Sequence, residues 1–383
     1  MSQRSFEQGP IRPPSEAYSL LLRVTRNCPW NRCEFCHVYK DQKFSLRTVE
    51  EVKKDIDSVQ ERVSEVKALS WERGLGGEIT PNLVNEIFGN PDRYPEGFRS
   101  VILWLYGGSK TVFMQDANSL VLRTDDLVEI LRYLKERFPS IERITTYARA
   151  KTVAKKTVEE LRDLGRVGLA RIHIGLETGS DRRLQYVQKG VTAQEQIEAG
   201  RKVKEAGISL SEYIMPGLGG KEMWREHAIE TAAVLNQIDP DFIRARTLKV
   251  LRMMPLHRKI DTGEFTPLTD DEVVVEERLL IERLEGIHST FTSDHILNLL
   301  EEVEGRFPED KEKMLSVIDR YLALPERERA IFRLGRRAGA YRSLDDLFRP
   351  DLRSQVEKAM SQIESERPGG LDRVISDLME SFI

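Results

Sequence analysis

The residues best suited to chemistry are the three cysteines, Cys28, Cys33 and Cys36, which lie in one short stretch of a 383-residue sequence. Their C-x4-C-x2-C spacing allows three thiolates to converge on one metal centre. Four thiolates would fill a four-iron cluster, whereas three leave one iron open to a ligand that is not protein. The alternative is a zinc site in which His37 is the fourth ligand after three cysteines. The apolar Phe35 favours the cluster, because a dry wall shields such a centre from solvent.

The stretch around the cysteines resembles the cluster-binding loop of the radical S-adenosylmethionine (radical SAM) superfamily. In that loop an aromatic residue usually precedes the third cysteine, and Phe35 stands there in this sequence. The gap of four residues between Cys28 and Cys33 is longer than the commonest family pattern. The resemblance implies that Cys28, Cys33 and Cys36 hold a 4Fe-4S cluster, with Phe35 and Tyr39 beside the cofactors. It also implies that the reduced cluster cleaves S-adenosylmethionine to methionine and a 5′-deoxyadenosyl radical, which abstracts hydrogen from a substrate.

Composition limits the class of protein further. A formal net charge of −4 argues against bulk electrostatic binding to nucleic acid. No apolar run approaches the ~20 residues of a membrane span. Cysteines confined to one stretch do not form a disulfide framework, which favours a reducing compartment. Composition therefore predicts a cytoplasmic protein without a membrane partner and disfavours nucleic acid as a partner, except through a local basic groove. The resemblance implies that the protein is oxygen-sensitive and works anaerobically.

The sequence alternates between strand and helix patterns, which is typical of a parallel α/β sheet curled into a barrel. Six strands are predicted, over residues 18–25, 110–114, 144–149, 168–176, 208–215 and 242–248. We therefore expect an α/β fold with a partial (β/α)6 barrel at residues 18–267, interrupted by a helical insertion at about 70–109. An extended lead is expected at residues 1–17, and an α-helical C-terminal region at residues 268–383.

The ends of these strands carry the next candidates, because ligands of parallel α/β folds bind at the carboxyl ends of strands. The second predicted strand ends in Gln115, Asp116 and Asn118, whose oxygens suit an ammonium group. By position they match the superfamily motif for the methionine amino group, although the letters differ from Gly-Gly-Glu. The alternative interpretation is a solvated turn.

Two further strand ends resemble superfamily motifs. The fourth strand runs into Glu177 and Ser180 within Gly-Leu-Glu-Thr-Gly-Ser. This run is similar to one in members related to oxygen-independent coproporphyrinogen oxidases, methylthiotransferases and cobalamin-dependent enzymes, and the superfamily type as a whole also resembles elongator-like domains. The resemblance implies that Glu177 and Ser180 bind the ribose and methionine end of the cosubstrate. The fifth strand ends at Met215 and Gly217, which compare with the glycine-rich turn behind the adenine.

Side chains alternate along a strand, so the polar face of each strand is expected to line the barrel interior. That face carries Arg149, Arg171, His173, Tyr213, Arg244 and Arg246. One arginine would hold the methionine carboxylate, for which we take Arg149. Glu177 is the one clear acidic partner, so the remaining charge predicts an anionic substrate, a carboxylate or phosphate, bound by arginines. The alternative is that these arginines form structural ion pairs.

The C-terminal region contains one polar cluster, Ser293, Asp294, His295 and Asn298, at an expected helix start. It is interpreted as a capped, solvated turn. The alternative is a lid that contributes to the site.

We expect a radical SAM enzyme that takes hydrogen from an anionic small molecule and receives electrons from a reducing partner such as flavodoxin or ferredoxin. One alternative is a tetrapyrrole-related radical SAM protein, which rests on likeness of fold alone. The other is a non-catalytic zinc or iron–sulfur interaction module. The lack of a following acetyltransferase-like domain disfavours an elongator-type modifier of transfer RNA.

Overall fold

The computed structural model describes residues 6–380, so residues 1–5 of the predicted lead and 381–383 of the predicted C-terminal region lie outside it. The chain divides into two compact units. The first comprises Met1–Asn31, Val38–Ile174 and Glu198–Leu210, and the second comprises Arg32–His37, Gly175–Ile197 and Ser211–Ile383. The cysteine stretch is therefore shared, because Cys28 belongs to the first unit and Cys33 and Cys36 belong to the second.

Strands and helices alternate through the middle of the chain, as predicted. The strands of the described residues are β1 (Leu20–Arg23), β2 (Thr25–Arg26), β3 (Ser45–Leu46), β4 (Thr111–Gln115), β5 (Arg143–Ala148), β6 (Leu169–Glu177), β7 (Ser209–Ile214), β8 (Phe242–Ala245), β9 (Thr290–Thr292) and β10 (Gly305–Arg306). Their α-helices are α1 (Val49–Glu72), α2 (Pro81–Phe88), α3 (Glu96–Tyr106), α4 (Thr124–Arg137), α5 (Ala150–Ala154), α6 (Val158–Arg166), α7 (Asp181–Tyr186), α8 (Ala193–Glu205), α9 (Gly220–Ile238), α10 (Leu256–Asp261), α11 (Asp270–Arg283), α12 (Lys311–Leu322), α13 (Glu326–Arg337), α14 (Pro350–Glu366) and α15 (Leu371–Glu380).

In the first unit, strands β1, β4, β5 and most of β6 pair in that order, and every pair is parallel. Leu20, Val112 and Ile144 lie side by side across the first three strands and are fully buried. Tyr147 of β5 lies beside His173 of β6. The parallel strands and their connecting helices confirm the predicted α/β class.

Helix α1 shows why the apolar positions of the sequence form a helix here. A capping box starts it: the Glu51 N–H donates to Thr48 Oγ1 at 3.2 Å, and the Thr48 N–H donates to the Glu51 carboxylate at 2.8 Å. Val52, Ile56 and Val59, spaced by four and three residues, are fully buried. This spacing gives an amphipathic helix whose apolar face is buried.

The second unit contains the end of β6, followed in sheet order by β7, β8, β9 and β10. Strands β7, β8 and β9 run parallel, and β10 runs antiparallel to β9. Tyr213, Arg244 and Thr292 lie in one row across β7, β8 and β9. Because residues in register point to the same face of a parallel sheet, this row places three polar side chains together.

The region beyond residue 268 is mostly helical, but residues 284–310 contain no helix and include β9 and β10. The predicted helix start at Ser293 is wrong: Ser293 follows β9, and the next helix begins at Lys311. The cause is the short run Thr290-Phe291-Thr292, whose β-branched and aromatic side chains suit a strand. That strand pairs with β8 and brings the polar cluster beside the end of β8.

Candidate active site

The first part of the cysteine stretch is held by hydrogen bonds around Cys28. The Asn31 N–H donates to Cys28 Sγ at 3.4 Å, and the Asn31 side chain donates to the Tyr39 carbonyl oxygen. Asn27 and Asn31 both adopt a positive φ, which asparagine tolerates better than most residues. These contacts fix the backbone on both sides of Cys28.

Asp116 is fully buried and accepts hydrogen bonds from three residues of the same unit. The Arg23 guanidinium donates through Nε at 2.8 Å and Nη2 at 2.5 Å, and the Asn27 N–H donates at 3.1 Å. The Tyr39 hydroxyl donates to the other carboxylate oxygen. Burial and the neighbouring Asp116 raise the pKa of Tyr39, so its phenol keeps its proton. Asp116 thus ties the cysteine stretch to the sheet, and binding an ammonium group would require displacing one of these partners.

Gln115 and Asn118 also have partners inside the protein. The Gln115 side chain accepts the Gly9 N–H at 2.8 Å and donates to the carbonyl oxygens of Gly9 and Ile11. Asn118 Oδ1 accepts the Arg149 N–H at 3.0 Å, and its amide donates to Thr152 Oγ1 at 2.8 Å. Gln115 therefore holds the N-terminal lead, and Asn118 holds the start of α5.

In the second unit, Glu34 anchors the segment between Cys33 and Cys36. Its backbone N–H donates to the Val187 carbonyl oxygen at 2.9 Å, and its own carbonyl oxygen accepts the Leu256 N–H at 3.0 Å. Its carboxylate accepts from Gln188 Nε2 at 2.7 Å and lies 2.7 Å from Lys259 Nζ. The result is a short backbone segment held on both edges and at its side chain.

Cys33 and Cys36 pack against an apolar cluster of the same unit, called here the Phe35 cluster. Its buried members are Phe35, Val187, Met215, Leu218, Leu256 and Phe265. Phe35 and Met215, both predicted to lie beside the cofactors, are thus part of one dry wall. Such a wall lowers solvent access to a metal–thiolate centre.

By residue type, three cysteine thiols suit an iron–sulfur cluster that leaves one iron open. None of the three cysteines forms a disulfide bond, all three are half-buried, and two of them border the Phe35 cluster. Within residues 6–380, no three His, Cys, Asp or Glu side chains are arranged to hold a metal ion. Burial and the positive charge of Arg246 lower the pKa of His37, which the zinc alternative would use as fourth ligand.

Glu177 ends β6 with a φ of 63° and pairs with Lys189, whose Nζ lies 2.8 Å from its carboxylate. Gly175 makes room for this pair, because a Cβ there would lie 2.2 Å from Glu177 Oε1. Lys189 also lies over the Phe35 ring, 5.5 Å from its centre. Glu212, which the sequence reasoning missed, is buried nearby, and burial raises its pKa well above the usual range.

Ser180 and Gly217 take structural positions in the loops after β6 and β7. Ser180 is fully buried and caps α7, accepting the Arg183 N–H at 3.5 Å and donating to Glu226 at 3.2 Å. Gly217 has a φ of 88°, a conformation that favours glycine, and its N–H donates to the Glu276 carboxylate at 3.1 Å. A ribose contact by Ser180 would therefore compete with its cap.

The arginines differ in their partners. In the first unit, Arg171 Nε donates to Ser209 Oγ at 3.1 Å, and the Arg149 guanidinium lies over the Trp30 ring, 5.0 Å from its centre. In the second unit, Arg244 pairs with Asp294 at 2.9 Å and is almost fully buried.

Among residues 6–380, Arg246 forms no ion pair comparable to that of Arg244 with Asp294. Its charge instead acts on two histidines, His37 and His295, and lowers the pKa of both. Arg246 therefore combines an unbalanced positive charge with uncharged neighbours.

The polar cluster after β9 is held against the end of β8. Asn298 Oδ1 accepts the Thr247 N–H at 2.9 Å, and its amide donates to the Ala245 carbonyl oxygen at 2.8 Å. Ser293 is fully buried, and its Oγ has no hydrogen-bond partner in the described part of the chain. The cluster is thus an ordered, partly buried turn at a strand end. This arrangement differs from the solvated turn that the sequence suggested.

His295 is neutral and accepts a hydrogen bond within this turn. Burial and the charge of Arg246 lower the pKa of His295 to about 4, so it is uncharged at neutral pH. Its Nδ1 accepts the Leu297 N–H at 3.2 Å, which assigns the ring proton to Nε2. The sequence pattern Ser-Asp-His was the available signal for this turn, but it could not show that β9 brings it to β8.

His173 and Tyr213 lie in different units. His173 is fully buried, and its ring lies 5.9 Å from that of Tyr147 and 6.4 Å from that of Phe113. Tyr213 lies in register with Arg244. The structure thus supports Tyr213 and Arg244 as neighbours and gives His173 an aromatic environment.

Comparison with known proteins identifies the family. The sequence model described as the Radical SAM superfamily matches residues 22–232, more than half of the chain. The chain belongs to this superfamily. It is therefore a radical SAM enzyme whose cofactors are a 4Fe-4S cluster and S-adenosylmethionine, and its α/β fold is that of a radical SAM partial barrel. No helix within residues 6–380 is long and apolar enough to cross a membrane.

Individual relatives are distant. A tRNA uridine(34) acetyltransferase from Methanocaldococcus jannaschii is 23% identical over 117 residues, which cover 30% of this chain and 22% of that protein. The chain thus spans about a fifth of the length of this curated relative. Among solved structures, coproporphyrinogen III oxidase (HemN) from Escherichia coli is 13% identical, with 70% of this chain and 52% of that chain covered and a TM-score of 0.46. Methylornithine synthase (PylB) is 15% identical, with 78% and 68% covered and a TM-score of 0.42.

Proposed function

We propose that this enzyme holds its cluster through Cys28, Cys33 and Cys36 and takes hydrogen from a small molecule that carries a carboxylate or phosphate. When bound, the cluster and S-adenosylmethionine supply a 5′-deoxyadenosyl radical. The protein must then exclude water and fix the target C–H bond. The Phe35 cluster and the anchored Glu34 segment support the first of these tasks.

Arg246 is the main evidence that the substrate is anionic. A half-buried arginine without a carboxylate partner is uncommon, because a desolvated charge needs compensation. The nearby Arg244 shows the usual solution, since Asp294 balances its charge. An anionic substrate group would balance Arg246 in the same way, through two parallel hydrogen bonds from the planar guanidinium.

The turn after β9 supports the same assignment. His295 offers an Nε2–H donor under the influence of Arg246 and stays neutral, so it adds a hydrogen bond without adding charge. Ser293 Oγ and Arg244 Nε are buried atoms without a hydrogen-bond partner in the described residues, and each can complete a contact with a polar ligand. The lid interpretation of this cluster therefore becomes part of the proposal.

A second source of the anion is an RNA phosphate, suggested by the local similarity to tRNA uridine(34) acetyltransferases. The net charge of −4 and the small share of that relative covered favour the small molecule. A tetrapyrrole carboxylate would be a particular case of the anionic small molecule. Electrons would come from a reducing partner such as flavodoxin or ferredoxin.

The experiment is anaerobic turnover of the cluster-loaded enzyme in deuterium-labelled cell extract, with label measured in 5′-deoxyadenosine. With wild-type enzyme, the 5′-deoxyadenosine should contain deuterium taken from the substrate. The Arg246→Gln variant should still cleave S-adenosylmethionine, but its 5′-deoxyadenosine should contain no deuterium. The control is Arg252→Gln, which alters an exposed arginine close by in sequence and should match wild type. Equal labelling by Arg246→Gln, or loss of label after nuclease treatment of the extract, would contradict a small anionic substrate held by Arg246.

A further inference from the structure

Helix α11 reaches the loop after β7 through one buried carboxylate. Glu276 Oε2 accepts the Gly217 N–H at 3.1 Å, and Glu276 Oε1 lies 3.0 Å from His227 Nε2 of α9. The side chains of Glu276 and His227 are each 2% exposed. A buried carboxylate is retained only when its oxygens have good partners, and here both oxygens have one.

The other nitrogen of the His227 ring reaches the loop after β6. Its Nδ1 lies 2.7 Å from Thr178 Oγ1, which also accepts the Ser180 N–H at 3.1 Å. Thr178 is fully buried. An unbroken series of hydrogen bonds therefore runs from Gly217 through Glu276, His227 and Thr178 to Ser180, and we call it the Glu276 network.

Donors and acceptors match along the Glu276 network. Because Glu276 accepts at both oxygens, His227 donates through Nε2–H, and its Nδ1 accepts the Thr178 hydroxyl hydrogen. The Thr178 oxygen keeps a lone pair for the Ser180 N–H. A buried network in which every member is satisfied gives a rigid arrangement.

We propose that Glu276 and His227 are positioning residues that hold the loops after β6 and β7 in the arrangement that binds S-adenosylmethionine. The inference rests on the cosubstrate contacts that the family resemblance implies for those loops. Glu276 lies outside the matched family segment, residues 22–232. Cosubstrate affinity would thus depend on a residue of the C-terminal region, to which the sequence assigned no role.

The sharpest test compares two substitutions at Thr178. Thr178→Val keeps the volume but removes the oxygen that His227 and Ser180 share, whereas Thr178→Ser keeps the oxygen. The dissociation constant of S-adenosylmethionine would be measured by equilibrium dialysis on anaerobic, cluster-loaded enzyme. We expect about a tenfold rise for Thr178→Val, the effect of one hydrogen bond, and less than about a twofold rise for Thr178→Ser.

A second pair of substitutions tests the other end. Glu276→Gln can keep the network, because the His227 ring can accept from the new amide and donate to Thr178 through Nδ1–H. Glu276→Leu cannot keep the network, because leucine has no polar atoms. We expect this variant to bind S-adenosylmethionine at least tenfold more weakly. Glu277→Gln is the matched control, since Glu277 is also buried on the same helix, and burial with the neighbouring Glu276 raises its pKa to about 8. It should bind as wild type does.

Iron content and thermal stability, measured on the same samples, separate the possible outcomes. Weaker binding by Thr178→Val and Glu276→Leu with wild-type iron content supports the positioning role. Lower thermal stability with unchanged binding would show that the network is only structural and would overturn the inference. If cluster-loaded wild-type enzyme itself fails to bind S-adenosylmethionine, the assignment of the cosubstrate loops fails instead.

Discussion

Replacing Asp116 with alanine should destabilise the first unit and loosen the stretch that carries Cys28. The substitution removes the acceptor for Arg23, for the Asn27 N–H and for the Tyr39 hydroxyl at once. It also leaves a cavity at a site without solvent exposure. If Asp116 instead binds the methionine ammonium group, Asp116→Ala should lower the affinity for the cosubstrate and leave the fold and the cluster intact.

The size of the effect follows from the partners that remain. Breaking a buried ion pair by removing one partner costs about 3–5 kcal/mol. Arg23 keeps Glu7 at 2.9 Å and Asn27 Oδ1 at 3.0 Å, so its charge is not stranded. We therefore expect Asp116→Ala to lower the free energy of unfolding by about 3 kcal/mol, the lower end of that range. Asp116→Asn keeps the shape and one acceptor, so its cost should be about half as large.

The free energy of unfolding would be measured by urea denaturation of iron-free protein, and iron content after anaerobic reconstitution. The control is Asp125→Ala, whose side chain is 88% exposed and which should change stability by less than about 0.5 kcal/mol. Asp116→Ala should also hold less iron than wild type. A loss below about 1 kcal/mol together with normal iron content would refute the structural role and restore the ammonium-binding prediction.

Three further predictions follow from the site. Replacing any one cysteine of the cluster stretch with alanine should leave a folded chain that cannot hold the complete cluster, whereas His37→Ala should keep wild-type iron; iron loss in the histidine variant would favour the zinc-type ligand set. Arg246→Lys should lose substrate-dependent turnover but retain uncoupled cleavage of S-adenosylmethionine, because lysine lacks the planar fork, and Arg171→Lys, whose partner is Ser209, should be less affected. The pKa of His295 is lowered to about 4 in the folded state, so its contribution to the free energy of unfolding is fully present above pH ~6.5. This contribution falls as the pH drops towards 4, because the unfolded state binds the proton more readily. Stability of wild type should therefore fall more steeply between pH 6.5 and 4 than that of His295→Gln, as urea denaturation at each pH would show.

The cysteine stretch and the order of strands were readable from the sequence because they depend on local patterns. Three clustered thiols, an aromatic residue before the last of them, and alternating strand and helix periods are each visible within a few residues. Helix α1, with Thr48 as its N-cap, is an example, because its capping box and apolar spacing are both local. These features agree with one another, which is typical of sequences that specify one fold.

The partners of the site residues were not readable, because they come from distant positions. Asp116 looked like a free carboxylate at a strand end. However, Arg23 of β1 lies in register with the neighbouring Gln115, and its guanidinium donates to the Asp116 carboxylate. Arg244 looked unpaired because Asp294 follows a strand that was expected to be helix. Ser180 looked available to a ribose, but it caps α7 and bonds to Glu226.

Strand β9 has a practical consequence for dividing the chain. A polypeptide ending at residue 267, the boundary that the sequence suggested, would retain strands β1 to β8. It would leave β8 as an unpaired sheet edge, with free N–H and C=O groups that promote aggregation. It would also leave the Gly217 N–H and His227 Nε2 without Glu276 as acceptor. Truncation experiments meant to isolate a minimal catalytic fragment should therefore cut after β10 at the earliest, even though the family resemblance ends well before it.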